Sequence, residues 1–425
     1  MSVPFAAISP PRLNGLLLLL CAMALASPLV EAVPGTSTNL FWLARAIGVA
    51  MAVAAVVWPR AQGWALGGVA FFLVLAPCAL QMHYRAWTGP TSYCHDSVVQ
   101  FEEAIRMVRA RRNPYKEDFT ETSLAQWHEW ERNPALYHFV YPPMLLYFSV
   151  PVEAVSRAVL WKMPEKVDKI GPRFYDQRLV VLGFFAGLLA VIWFYLRDHP
   201  HRIGITALGA LNPWLAPFVV EGRNDVAMLF WVAAAWIAYE TGQRRYGHLL
   251  LGLAIATKTL LLPMVPFVAY AQRRDWKLCV PLLLAPLFFT SLPYLAADPR
   301  SFIDDLFLAP AGLGPHPFDI RGWGGLGFAN VVLALHWVKS PQAYFPFAIF
   351  QGIAFAASLY YGVRSLRTEG TNERVFLWSA LGVFVVLFFG RFIHDNYIGA
   401  LLSIAVISQT ARGTPPSASS TSAPG

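Results

Sequence analysis

The stretch SYCHDSVVQFEEAIRMVRARRNPY, which begins at Ser92, puts a carboxylate, Asp96, at the head of a mixed charged and apolar pattern. A carboxylate at a water–lipid boundary can take a proton from a hydroxyl while nearby cations hold a phosphate leaving group. The plain structural use of the same residue is at a helix N-terminus. Ser97 and Gln100 have capping-box spacing, and an acidic residue there suits the helix dipole. The two uses are compatible, because a cap needs only one side-chain oxygen. A second cluster, NPWLAPFVVEGRND, gathers Glu221, Arg223, Asn224 and Asp225 between two apolar runs. Such residues serve as interface anchors, but four polar groups in five positions also make an anion site, with Arg223 on a phosphate and Asp225 capping the next helix. Lys258 interrupts the run LLLGLAIATKTLLLPMVPF. A lysine there either snorkels or stands at the mouth of a cavity opened by a helix break before Pro263. GRFIHDNYIG sets Arg391, His394, Asp395, Asn396 and Tyr397 between apolar stretches, either as a turn or as a phosphate or sugar site, with His394 a lone acid or cation. HPFDIRGWGG adds Arg321 beside an aromatic and glycines.

The elements that must position these residues are hydrophobic helices. The chain has 425 residues, 56% of them hydrophobic and 14% charged, with a mean hydropathy of +0.46; soluble domains carry about 25% charged residues. Apolar runs near the ~20 residues needed to cross a bilayer recur at 13–33, 40–58, 64–83, 141–157, 179–196, 203–220, 226–239, 248–270, 278–296, 326–338, 343–363, 375–390 and 393–411. The expected fold is an all-α polytopic membrane protein of about 11–13 transmembrane helices, since helices satisfy their own backbone in hydrocarbon. One domain is expected over 1–411, with a disordered tail at 412–425. The net charge of +8 fits lysine and arginine collected in cytoplasmic loops. No aromatic-interleaved basic face points to nucleic acid. Cys21, Cys78 and Cys279 lie in apolar runs and Cys94 in a polar loop; neither metal spacing nor a disulfide pair emerges. The first apolar run reads as an uncleaved signal-anchor.

The positive-inside rule puts Arg12 and Arg60 in the cytoplasm and the long polar interval 84–138 outside. Breaking 248–270 near Lys258 lets GQRRYG and AQRRDWK share the cytoplasmic side, with EGRND, the loop 297–325 and GRFIHDNY outside. The 158–177 loop fits no simple alternation. Within the first outer loop, Val98, Phe101, Ile105 and Val108 mark one helical face. The expectation is an amphipathic helix on the outer leaflet, its stripe toward lipid, stopped by NPY at 113–115. Trp127 and Trp130 suit an interface.

In order along the chain, the carboxylate before an amphipathic helix ending NPY, the YPP opening the next run at Tyr141, NP…GRND, GLAIATK and the Trp/Gly-rich loop resemble the polytopic glycosyltransferases of the C-type fold. They are most similar to family 87, the polyprenyl-phosphate-mannose-dependent mannosyltransferases. The resemblance spans roughly residues 64 to 410. It implies Asp96 as catalytic base, a G-polar-N-D motif on Gly222 to Asp225, the family lysine on Lys258 and a late histidine on His394. Arg223, Asn224, Asp225, Lys258, Arg321, His394 and Tyr141 are then the substrate contacts, with no metal. The implied reaction inverts the anomeric carbon of a sugar, mannose in the family, carried by a polyprenyl phosphate. It passes to a lipid or glycan acceptor at the extracytoplasmic face of the cell membrane, with no nucleotide-binding domain or cofactor. A transporter or flippase of lipid-linked sugars is the alternative. It would put its charges in mid-span and show repeated halves, whereas these charges cluster at span ends. A purely structural membrane component would not need the Asp96 loop.

Overall fold

The computed structural model describes residues 9–27, 38–127, 132–160, 175–322 and 326–410. Helices make up 74% of the structure. Among the described residues the strands are two dipeptides, Arg321–Gly322 and Phe392–Ile393, paired in parallel. The fold is all-α. Among the described residues, four helices are long and apolar enough to cross a membrane: Asn39–Val57, Pro59–Thr88, Arg178–Tyr195 and Trp276–Ala297. At ~1.5 Å rise per residue each spans roughly the ~30 Å hydrocarbon core.

Other apolar runs become shorter helices, for local reasons. The run 203–220 splits into Arg202–Ala210 and Ala216–Glu221. Pro213 cannot donate in the ladder, and Asn212 turns its amide to Ser403 Oγ at 2.9 Å. Of 326–338 only Phe328–Ala334 is helical. The run 248–270 breaks at Lys258, as its sequence predicts. Helix Arg244–Thr257 ends there in an extended residue, Thr259–Met264 forms a 3-10 turn, and Val265–Ala271 resumes the helix. The return brings Arg244 and Arg245 into one crevice with Gln272 and Asp275, so the two basic turns lie at the same end. Helix Asp225–Glu240 is the hub. It packs on Arg178–Tyr195, Arg244–Thr257 and Asp395–Ser408, and its Trp236 is fully buried. Gly399 lets the last helix rest on the backbone of Trp214, where a Cβ has no room.

The helix Asp96–Arg109 departs from expectation. It does not lie on a surface: 11 of its 14 residues are buried, and these include the polar face. Val98, Phe101 and Ile105 join one core with Tyr115, Phe119 and Phe139 of the same polar interval and with Phe302 and Leu306. On the other face Glu102 takes both guanidinium nitrogens of Arg85 at 2.7 Å, and Arg85 also binds Asp176 at 2.8 Å. Asp176 in turn pairs with the fully buried Arg178 at 2.8 Å. Buried charges persist only when paired and hydrogen-bonded. The partners of Glu102 lie 17 and 75 residues away, outside any helical-wheel reading. Trp127 is likewise no interface anchor; it is buried and donates to the Cys94 carbonyl at 3.1 Å. Trp130, most of the 158–177 loop and the tail 412–425 lie outside the described residues.

Candidate functional site

The Asp96 helix opens differently from a Ser97–Gln100 capping box. His95 is the N-cap, with its Nδ1 3.2 Å from the Ser97 amide nitrogen. Gln100 instead clamps the following loop, donating to the Ala135 carbonyl at 2.6 Å and the His138 carbonyl at 2.8 Å. Asp96 therefore does not cap. It sits in the first turn with its carboxylate 2.7 Å from His95 Nδ1. Burial alone would raise the Asp96 pKa, but the neighbouring His95 and then Arg223 outweigh it, and the net direction is down. The carboxylate is an ionised acceptor at neutral pH.

The EGRND corner meets this turn directly, since the His95 amide donates to the Glu221 carbonyl at 3.0 Å. Gly222 ends helix Ala216–Glu221 in the left-handed region, at φ 92°. It is required twice over, because a Cβ there would also run into Val98 and Arg178. Arg223 bonds Glu221 at 2.9 Å and Asn396 Oδ1 at 3.1 Å, with its guanidinium 4.4 Å from the Phe218 ring centre. Asn224, not Asp225, is the N-cap of the next helix. Asp225 spends its oxygens elsewhere, on Lys258 Nζ at 2.5 Å and on Asn396 Nδ2 at 2.6 Å. Lys258 Nζ also lies 4.9 Å from the Tyr397 ring centre.

Seven of the eight sequence-predicted residues, Asp96, Tyr141, Arg223, Asn224, Asp225, Lys258 and His394, line one cavity of about 500 Å³. Arg321 does not; it faces a neighbouring chamber that shares His394. His394 corrects a second expectation. Burial, and then Arg223, His95, Lys258 and Arg321, push its pKa down to about 3, so it is a neutral imidazole and no cation for a phosphate. Asn224 Nδ2 is buried without a hydrogen-bond partner among the described residues, a donor left for a ligand oxygen. The cavity carries Arg223, Lys258 and Arg391 against Asp96 and Asp225, one cation in excess. Much of the remaining lining is apolar: Leu260, Leu262 and Pro263 from the turn after Lys258, with Phe345, Phe347 and Leu387 from later in the chain.

Sequence reading missed His95 as the partner of Asp96, and it missed the apolar cover from Leu306 and Phe307. His95 stands next to Asp96 in the chain and was the local signal available, whereas the cover is some 200 residues from Asp96 and leaves none. His138, Asp304 and Asp305 bring ligand-type atoms within 4.8 Å of one another. The donor atoms of two of them are already engaged: His138 Nδ1 faces Asp305 at 2.9 Å, His138 Nε2 faces the Pro315 carbonyl at 3.0 Å, and Asp305 accepts from the Phe139 amide at 2.8 Å. The cluster is a latch that fastens the segment 299–311 over the cavity. No protein-family model, curated protein or solved structure gives a significant match to the chain.

Proposed function

We propose that this chain is a polytopic membrane glycosyltransferase of the C-type kind. In this reading it is one domain over 1–411 that moves a sugar, mannose by resemblance, from a polyprenyl-phosphate donor to an acceptor hydroxyl at the extracytoplasmic face, with inversion. One observation carries the reading. A single cavity is lined by an ionised carboxylate, a set of phosphate-type donors and many apolar side chains. An amphiphilic phosphodiester matches both kinds of lining. Its one negative charge matches the one excess cation, and its chain lies along Leu260, Leu262 and Phe347.

The chemistry follows from the charges. The acceptor hydroxyl gives its proton to Asp96 as its oxygen bonds to the anomeric carbon. The bond from that carbon to the phosphate oxygen breaks, and the electron pair leaves with the phosphate. The leaving group goes from one negative charge to two, so Lys258, Arg223 and the free Asn224 amide stabilise the transition state more than the ground state. His394, neutral, can donate or accept a hydrogen bond without adding charge.

The test is transfer by purified protein from polyprenyl-phosphate-[14C]mannose into a crude lipid extract, with wild type beside Asp96→Asn. A positioned general base contributes roughly 10²- to 10⁴-fold, and the variant is expected to lose that much. Equal transfer by both proteins sinks Asp96 as the base. Absence of transfer from any lipid-linked sugar sinks the enzyme reading.

A further inference from the structure

The chamber that Arg321 faces is a separate space of about 750 Å³. It meets the Asp96 cavity along Phe318, Phe392 and His394, which line both. Both carry polar and apolar groups, but the apolar groups differ in kind. The Asp96 cavity has leucines, two valines and prolines for a hydrocarbon chain. Among the described residues the second chamber has no aliphatic side chain other than proline; beside Phe318, Phe392 and His394 its walls are Arg132, Asp319, Arg321 and Gln342. Its apolar surface is made of rings, Phe318, Phe392, Pro134 and Pro341, and a flexible acyl or prenyl chain finds no aliphatic trough there.

What the chamber does offer is a planar polar edge beside aromatic faces. Gln342 Nε2 donates to Asp319 Oδ1 at 2.9 Å, and Arg132 stands 3.8 Å from the same oxygen. The Asp319 side chain is 32% exposed, so its carboxylate is open to accept from a hydroxyl. Phe318 and Phe392 lie with centroids 5.5 Å apart. Carboxylate, amide and guanidinium groups around an aromatic face suit a pyranose ring, which has hydroxyls at its rim and C–H bonds on its faces.

The frame is built rather than incidental. Arg391, only 3% exposed, donates to the carbonyls of Phe318, of Ala343 at 2.9 Å and of Pro341 at 3.0 Å. These flank or belong to the residues that present Phe318, Asp319 and Gln342. The Arg321–Phe392 strand pair closes the frame, with the Arg321 amide donating to the Arg391 carbonyl at 3.0 Å. One buried arginine thus holds both loops of the chamber in register.

We propose that this second chamber is the acceptor site and that the acceptor is a water-soluble carbohydrate, not a glycolipid. It enters from the polar side and presents a hydroxyl past His394 to Asp96. The proposal rests on the glycosyltransferase reading above: the hydroxyl proton goes to Asp96, and the phosphate leaves the anomeric carbon with the bonding pair.

The test uses the full chain in phosphatidylglycerol nanodiscs with polyprenyl-phosphate-[14C]mannose. Mannotriose and maltotriose serve as soluble probes and dioleoylglycerol mannoside as the lipid probe. Binding of the trisaccharides is followed separately by saturation-transfer NMR. The expected result is label in a trisaccharide, with Asp319→Ala and Gln342→Ala each raising the trisaccharide KM on the order of tenfold, and the donor KM shifting less than twofold. Asp319→Asn, which keeps the shape, separates loss of the carboxylate from misfolding and should also raise the trisaccharide KM. Label only in the lipid probe, with both trisaccharides inert in transfer and in NMR, overturns the proposal. So does a donor KM that rises in step with that of the acceptor. Trisaccharide binding that Asp319→Ala abolishes, with no transfer to any probe, overturns the enzyme reading and the acceptor role together, while leaving a sugar site.

Discussion

The pair Lys258–Asp225 allows the structural and chemical roles of one residue to be separated. Lys258 Nζ is 2.5 Å from Asp225 Oδ1, and the aspartate side chain is 1% exposed. Lys258→Met would leave Asp225 buried with the Asn396 amide at 2.6 Å as its remaining direct partner. Removing one member of a buried pair costs about 3–5 kcal/mol, because a charge is stranded. Arg223, which already favours the Asp225 carboxylate, puts this variant at the lower end. Asp225→Asn alone should cost less, since a buried lysine can shed its proton. The double variant Lys258→Met/Asp225→Asn removes both charges and should recover to within ~1 kcal/mol of wild type, a coupling of ~2–4 kcal/mol. If Lys258 also holds the departing phosphate, the recovered double variant still lacks one charge-assisted contact, worth ~1.5–3 kcal/mol. At ~1.36 kcal/mol per decade that is a ~10- to 150-fold loss in kcat/KM for the donor. Thermal unfolding in detergent reads the first quantity, and [14C]mannose transfer reads the second. A double variant that is both stable and fully active would refute the phosphate role. A single Lys258→Met that melts like wild type would refute the tight pair itself.

Three further outcomes follow from particular contacts. The Asp96 pKa is depressed, so the carboxylate is ionised above that value and activity is lost only as pH falls through it. The acid limb of kcat/KM due to Asp96 should lie below the ~3.9 of an ordinary aspartate, and a shift of that limb in an Asp96→Glu profile checks the assignment. Gly222→Ala should lower the melting temperature and the yield of folded protein, at a cost of ~1–3 kcal/mol for the positive φ alone, because its Cβ also meets Val98 and Arg178; wild-type stability would show that the corner can relax. Glu102→Gln strands Arg85, which keeps Asp176 at 2.8 Å, and should cost ~3 kcal/mol. Its transfer rate at low temperature should fall by less than that of Asp96→Asn, since Glu102 does not line the cavity.

How far these features can be read from the sequence depends on how local their causes are. The break at Lys258 was legible, because a lysine and Pro263 interrupt the apolar run and the basic turns at its two ends call for the same side. The grouping of Asp96, Arg223, Asn224, Asp225, Lys258, Tyr141 and His394 was legible from their shared position at the ends of apolar runs. Arg321 was legible as polar and aromatic-flanked but not as belonging to a second chamber, because only the Arg321–Phe392 pairing decides that. The Asp96 helix misled for a physical reason. Its stripe of Val98, Phe101 and Ile105 fits lipid and protein equally well. Its polar face reads as solvated until Arg85 and Gln177 are found to be the partners of Glu102. His394 misled in the same way, since its surroundings of Arg223, Lys258 and Arg321 come from three distant segments.

Burial of the Asp96 helix also changes what the helix is for. A helix floating on a lipid surface would let its first turn drift with the membrane. This one is fixed at three places. Glu102 is clamped to Arg85, Gln100 holds two carbonyls of the loop that carries His138, and the His95 amide ties the N-terminus to Glu221. His138 then latches to Asp305 at 2.9 Å, and the segment 299–311 supplies Leu306 and Phe307 to the cavity wall. The chain of contacts runs from the cover, through the loop, to the helix that begins at Asp96. A base must be held to within a few tenths of an ångström to be effective. A helix whose every face is committed to protein does that better than one with a face given to lipid. Asp305→Ala should therefore affect the Asp96 end without touching it, raising the donor KM and lowering kcat together. An effect on donor KM alone would reduce the latch to a simple cover.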